Sequence, residues 1–186
     1  MKIVRRILIF ILIIAISAGF LYSVMKAVFP LKHENYIEVY SCQYNIDPYL
    51  IMGIIKAESN FEHDAVSSKN ASGLMQITKS TAEWIADELG INNFEYKRDI
   101  ISPEINIKMG CFYMDYLLSM YSGREKCALA AYNAGFNNVD SWLLNDKWSK
   151  DGKTLDKIPF PETEKYVSKV SNYRRIYKFL YGDVFN

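Results

Sequence analysis

Hydrophobic and polar positions divide this chain into two regimes. From Ile7 to Met25 nineteen consecutive residues carry no charge, and Ile, Leu, Phe and Val dominate them. That length is close to the ~20 residues a helix needs to cross a bilayer. Lys2, Arg5 and Arg6 precede the run, a basic flank that should stay in the cytoplasm and send the rest of the chain outside. Ala15, Ser17, Ala18 and Gly19 supply the small residues of a signal-peptide cleavage site, which is the competing reading. Phe20 to Met25 continue apolar beyond them, which favours an uncleaved anchor; either outcome exports the remainder. The expected organisation is a basic flank at 1–6, an anchor at 7–25, a linker at 26–35 and one domain at 36–181.

In the second regime apolar residues recur every three or four positions, the period of amphipathic helices. His33 to Tyr44 reads as the first helix. Asp47-Pro48 pairs a capping residue with proline at the first helical position, and the helix it opens runs through the nearly all-apolar stretch from Tyr49 to Ala57. Ser80 and Glu83 have capping-box spacing, with Gly90 closing that helix. Ser102-Pro103 opens another, with Ile105, Met109, Phe112, Tyr116 and Met120 on its apolar side and Gly123 at its end. Arg124–Ala134 and Glu162–Leu180 complete the set, and the polar, lysine-rich stretch from Asn145 to Lys157 reads as a loop. No segment shows period-two alternation between hairpin turns, so the expected class is mainly α.

Glu58 stands where an apolar helix gives way to the polar, turn-rich run from Asn60 to Ser72. A carboxyl group half sunk in apolar surroundings has its charged form disfavoured and its pKa raised, as a general acid working near neutral pH requires. Composition narrows the alternatives. Setting aside Lys2, Arg5, Arg6 and Lys26 leaves 18 of the 22 basic residues against 21 acidic ones, a formal charge of −3 for the exported part, with no basic stripe for nucleic acid. Lys165, Lys169, Arg174, Arg175 and Lys178 alternate with apolar positions and read as the wet face of a helix. Cys42, Cys111 and Cys127 are odd in number and lack CxxC spacing, and His33 and His63 form no HExxH motif, so no metal is expected. Cys111 and Cys127 lie in apolar runs, where a free thiol packs as a small hydrophobe.

Four segments in order, AESNF at 57–61, ASGLMQ at 71–76, ALAAYNAG at 128–135 and PETEKYV at 161–167, resemble the SLT-type lytic transglycosylases, relatives of goose-type lysozyme. The resemblance covers about Tyr36 to Tyr177. It implies a lysozyme-like helical domain around a groove for peptidoglycan glycan strands, with Glu58 as the single catalytic acid and no cofactor. Ser67 corresponds to a serine that orients the substrate. Gly73 to Gln76 correspond to a turn lining the groove, where Met75 would offer an apolar wall and Gln76 would hydrogen-bond an acetamido group. Tyr132 and Asn133 match the AYNAG motif, and Glu162 and Tyr166 match a late motif whose tyrosine points its hydroxyl at the acid. The implied reaction cleaves between N-acetylmuramic acid and N-acetylglucosamine and closes a 1,6-anhydro ring, with Glu58 as acid and then base. Glu62 and Asp64, four and six residues beyond Glu58, keep a hydrolase reading open. A glycan-binding module without catalysis is a third.

Overall fold

A computed structural model describes residues 2–185; Met1, the first residue of the basic flank, and Asn186 lie outside the described residues. The chain divides into two compact units, residues 1–32 and 33–186.

The first unit is a single helix, α1, Lys2–Val28, with no buried residue. Its mean hydropathy reaches 2.7, and by length and composition it can cross a membrane. Isoleucines, leucines and phenylalanines are exposed around the whole helix surface.

The second unit is helical, with no strand among its described residues. It comprises α2 (Glu34–Gln43), α3 (Pro48–Glu58), α4 (Lys79–Glu88), α5 (Tyr96–Asp99), α6 (Pro103–Met120), α7 (Glu125–Ala134), α8 (Phe136–Leu143) and α9 (Pro161–Tyr181). Helix α3 begins as its sequence dictates: the Asp47 carboxylate accepts from the Tyr49 amide at 2.9 Å and Pro48 occupies the first turn. Seven consecutive residues, Tyr49 to Ile55, are buried, so α3 is wrapped on every side and forms the axis of the core. Its principal partner is α9. A Cβ on Gly53 would come within 2.9 Å of the Val170 carbonyl, so glycine is what lets the two helix backbones approach. Arg174 on α9 clamps this packing, donating from Nε to Asp47 at 2.7 Å and from Nη1 to Glu125 at the start of α7, also 2.7 Å.

Three expectations need correction. The cap of α4 is Thr78, whose hydroxyl accepts from the Thr81 amide, and Ser80 is already inside the helix. Two helices escape the sequence pattern. Helix α5 is a single turn, too short to show a period. Helix α8 follows Gly135 directly and buries only Val139 and Trp142, so the glycine that ends α7 also hides the helix after it. The stretch from 145 to 157 is irregular as expected, organised around Asp151, which accepts from the amides of Lys153 and Thr154 and from the hydroxyls of Ser149 and Thr154. These bonds hold the Asp151 carboxyl far below its ordinary pKa. Cys111 and Cys127 are buried free thiols, and Cys42 is exposed.

Candidate active site

Helix α3 delivers Glu58 in its last turn, where the chain leaves the core. Ser59 fixes that exit: its hydroxyl donates to the Leu74 carbonyl at 2.8 Å and to the Ile55 carbonyl at 3.2 Å, tying the helix end to the segment 71–77. Asn60 and Phe61 then turn the chain through two successive left-handed conformations, φ 54° and 66°. Phe61 is driven back into the core against Tyr177, while Glu62, His63 and Asp64 are left exposed. The apolar residue at this turn anchors it.

The 65–77 segment is a closed loop held by hydrogen bonds within itself and to the helices around it. Gly73 N donates to the Ala65 carbonyl at 2.9 Å, and the Gln76 amide nitrogen donates to the carbonyls of Ala65 and Gly73, both at 2.9 Å. From below, Asn106 of α6 is completely buried and satisfied. Its Oδ1 accepts from Met75 N at 2.7 Å, and its Nδ2 donates to the carbonyls of Ser72 and Ile100. Gly73 has φ +83°, and a Cβ there would sit 2.1 Å from Asn106 Nδ2. Tyr96 closes the other side, donating to the carbonyls of Asn70 and Ile77. Sequence reasoning missed Asn106 and Tyr96; a lone asparagine among the apolar positions of α6 was the available signal.

Three of the expected residues in this loop make contacts within the protein itself. The Met75 side chain is fully buried against Gly110, and its carbonyl accepts from Tyr132. Gln76 spends its amide protons on the loop itself, so its amide nitrogen holds the turn. Ser67 likewise accepts from the Ala71 amide at 3.1 Å.

Helices α7 and α9 bring two tyrosines to Glu58. Tyr132 donates to the Met75 carbonyl at 2.7 Å and packs on Tyr113, with ring centroids 5.4 Å apart. Next to it Asn133 accepts from the Thr163 hydroxyl at 2.8 Å, linking α7 to the first turn of α9. The buried Tyr166 hydroxyl lies beside the Glu58 carboxyl, close enough to favour its charged form, and completes no hydrogen bond of ordinary geometry with any described group. Both tyrosines are held well above the ordinary phenol range, by burial first and by Glu58 next, so they remain neutral donors. Glu162 is not in the buried cluster: it is exposed, with Lys69 at 3.9 Å.

The electrostatics of Glu58 follow from this enclosure. Burial lifts its pKa from 4.5 to about 7, against the Tyr166 hydroxyl and the positive charges of Lys169 and Lys69, which pull it down. Among the described residues, no second carboxylate belongs to the groups that shift its ionisation. A carboxyl with these properties is half protonated near neutral pH and can both give and take a proton. Among the described residues no cluster of His, Cys, Asp or Glu could hold a metal ion.

A helical domain with one enclosed acid at the end of its central helix is the arrangement of a lysozyme-like protein. Residues 35–155 match the transglycosylase SLT domain, and the chain belongs to that family. It is 32% identical over 170 residues to the soluble lytic murein transglycosylase of Escherichia coli, an alignment that covers 91% of this chain and 26% of that protein. The crystal structure of the 70 kDa soluble lytic transglycosylase of Escherichia coli superposes with a TM-score of 0.77 at 30% identity, over 89% of this chain and 27% of that one. An inactive glutamate-to-glutamine mutant of the lytic transglycosylase Slt from Pseudomonas aeruginosa gives 0.74 at 32% identity, over 83% and 25%. The chain thus spans about a quarter of the length of these relatives.

Proposed function

We propose that this chain is a membrane-anchored lytic transglycosylase that cuts peptidoglycan glycan strands, with Glu58 as its only catalytic carboxyl group. The observation that carries the reading is the environment of Glu58: a half-buried acid of pKa about 7, faced by two neutral tyrosines and two lysines. Loss of activity in a relative carrying glutamine in place of a glutamate is what such chemistry produces.

In the proposed reaction protonated Glu58 delivers its proton to the glycosidic oxygen between N-acetylmuramic acid and N-acetylglucosamine. The 2-acetamido group assists departure. Glu58, now a carboxylate, removes the proton from the C6 hydroxyl of the same muramic sugar, and that oxygen closes on C1. Two proton transfers in opposite directions suit a group whose acid and base forms are nearly balanced at neutral pH. A typical glycosidase needs a second carboxylate to activate water or attack the sugar. Glu62 and Asp64 are exposed, and neither is among the groups that shift the ionisation of Glu58, which supports a reaction run by one carboxyl group. The internal hydroxyl replaces the second carboxylate, already held beside the reacting carbon. The proposed topology places α1 in the membrane and the helical domain outside the cytoplasm.

Mass spectrometry of products from purified peptidoglycan tests the reading. Muropeptides ending in an anhydro sugar, one water lighter than hydrolysed ends, are expected, with no incorporation of heavy-oxygen water. Hydrolysed ends that take up the label would establish a hydrolase instead. An intact polymer that the protein binds would establish a binding module.

A further inference from the structure

Lys169 stands on α9 one turn beyond Tyr166, among cations that the sequence pattern assigns to a solvated face. Though exposed, it has defined partners. Its ammonium donates to the Ala57 carbonyl at 3.0 Å and lies 5.7 Å from the centre of the Tyr173 ring. Ala57 immediately precedes Glu58 in the last turn of α3, where carbonyls lack helical partners and the helix dipole presents its negative end.

We propose that Lys169 is a positioning residue for Glu58: by gripping the Ala57 carbonyl it fixes the last turn of α3 and holds a positive charge beside the carboxylate that exists between the two proton transfers. The proposal rests on the reaction assigned to Glu58 above. A buried carboxyl group with no fixed counter-charge is reluctant to ionise, which favours its presence as an acid and hinders its release of the proton. The groups facing Glu58 are Tyr166 and Lys169 from α9, Tyr132 from α7 and Lys69 from the closed loop. The tyrosines stay neutral. Lys69 is 72% exposed and shared with Glu162 at 3.9 Å, whereas Lys169 is tied by a hydrogen bond to the backbone that carries the acid. Both lysines pull the ionisation of Glu58 downward, against burial.

The test compares Lys169→Met, which keeps an apolar stem without charge, and Lys169→Arg, which keeps the charge and its donors. The titration of the Glu58 carboxyl is followed by carbon-13 NMR alongside the pH profile of kcat/KM on purified peptidoglycan. In low salt the Met variant should move the Glu58 midpoint and the alkaline limb of the profile upward by about half a pH unit, the size expected of an exposed cation near a carboxylate. The Arg variant should stay at the wild-type position, and about 0.5 M salt should shrink the difference. A Glu58 midpoint unmoved by Lys169→Met would overturn the proposal, as would an Arg variant that shifts as far as Met. A structural role alone would lower the melting temperature without moving either titration. The NMR titration needs no turnover, so a shifted midpoint without anhydro product would sink the proposed reaction and leave the Lys169 coupling standing.

Discussion

Replacing Glu58 with glutamine should stabilise the helical domain by an amount that grows with pH. Burial raises the carboxyl from an ordinary 4.5 to about 7 in the folded protein. Below pH 4.5 the group is protonated in both the folded and unfolded states and its ionisation has no effect on stability. As pH rises through the interval from 4.5 to about 7, the unfolded chain releases the proton while the folded one still holds it, so folding loses free energy. Above pH 7 the penalty is complete. At 1.36 kcal/mol per pH unit the displacement corresponds to about 3 kcal/mol, a large fraction of the stability of an ordinary domain. Glutamine keeps nearly the same shape and cannot ionise. Its stability relative to wild type should therefore climb by about 3 kcal/mol between pH 4.5 and 8, whatever constant difference the amide introduces. Urea unfolding of residues 32–186, followed by circular dichroism across that pH range, measures both proteins under identical conditions. Groups unaffected by the substitution cancel in the difference. A difference that stays flat within about 0.5 kcal/mol would refute the claim that the apolar enclosure of α3 raises this acid, and with it the physical basis for its role.

Other consequences are equally direct. Glu58→Gln should reduce turnover of peptidoglycan to background while retaining glycan binding, measured by product release and by co-sedimentation with the polymer. Tyr166→Phe removes a buried hydroxyl that completes no ordinary hydrogen bond, so the melting temperature should change little; a fall in kcat would mark the hydroxyl as acting on Glu58, and an unchanged kcat would return the residue to the core. Gly73→Ala should destabilise the domain by roughly 2–4 kcal/mol, because it combines a left-handed backbone with a collision against Asn106, and a loss below about 1 kcal/mol in thermal or urea unfolding would contradict that geometry. The full chain should fractionate with membranes through α1 and a protein beginning at Lys32 should be soluble; a mature N-terminus between Ser17 and Phe20 would reveal a cleaved signal instead.

The sequence by itself determined the helical class, the separation of the apolar N-terminal helix from the domain, and the start of α3 at Asp47-Pro48, because each depends on neighbours close in the chain. Period, capping residues and proline act within one or two turns. Glu58 was legible for the same reason: an acid directly after nine mostly apolar residues marks the edge of a core without knowledge of what covers it. The tertiary structure decided what Glu58 meets there. Tyr132, Tyr166, Lys169 and Lys69 reach it from α7, α9 and the closed loop, and no short-range pattern distinguishes Lys169, tied to Ala57 across 112 positions of chain, from the solvated lysines beside it. The same holds for Asn106, whose three bonds to segments 6 to 34 residues away make a buried amide into the support of a loop. Met75 and Gln76 show the converse: their motif names them, but the handed turn between Gly73 and Gln76 sends one side chain into the core and binds the other to the loop's own carbonyls. Side-chain direction at such a turn is set by backbone dihedrals and by the helix packed beneath it, and a helix packed from elsewhere in the chain is fixed only when the chain has folded.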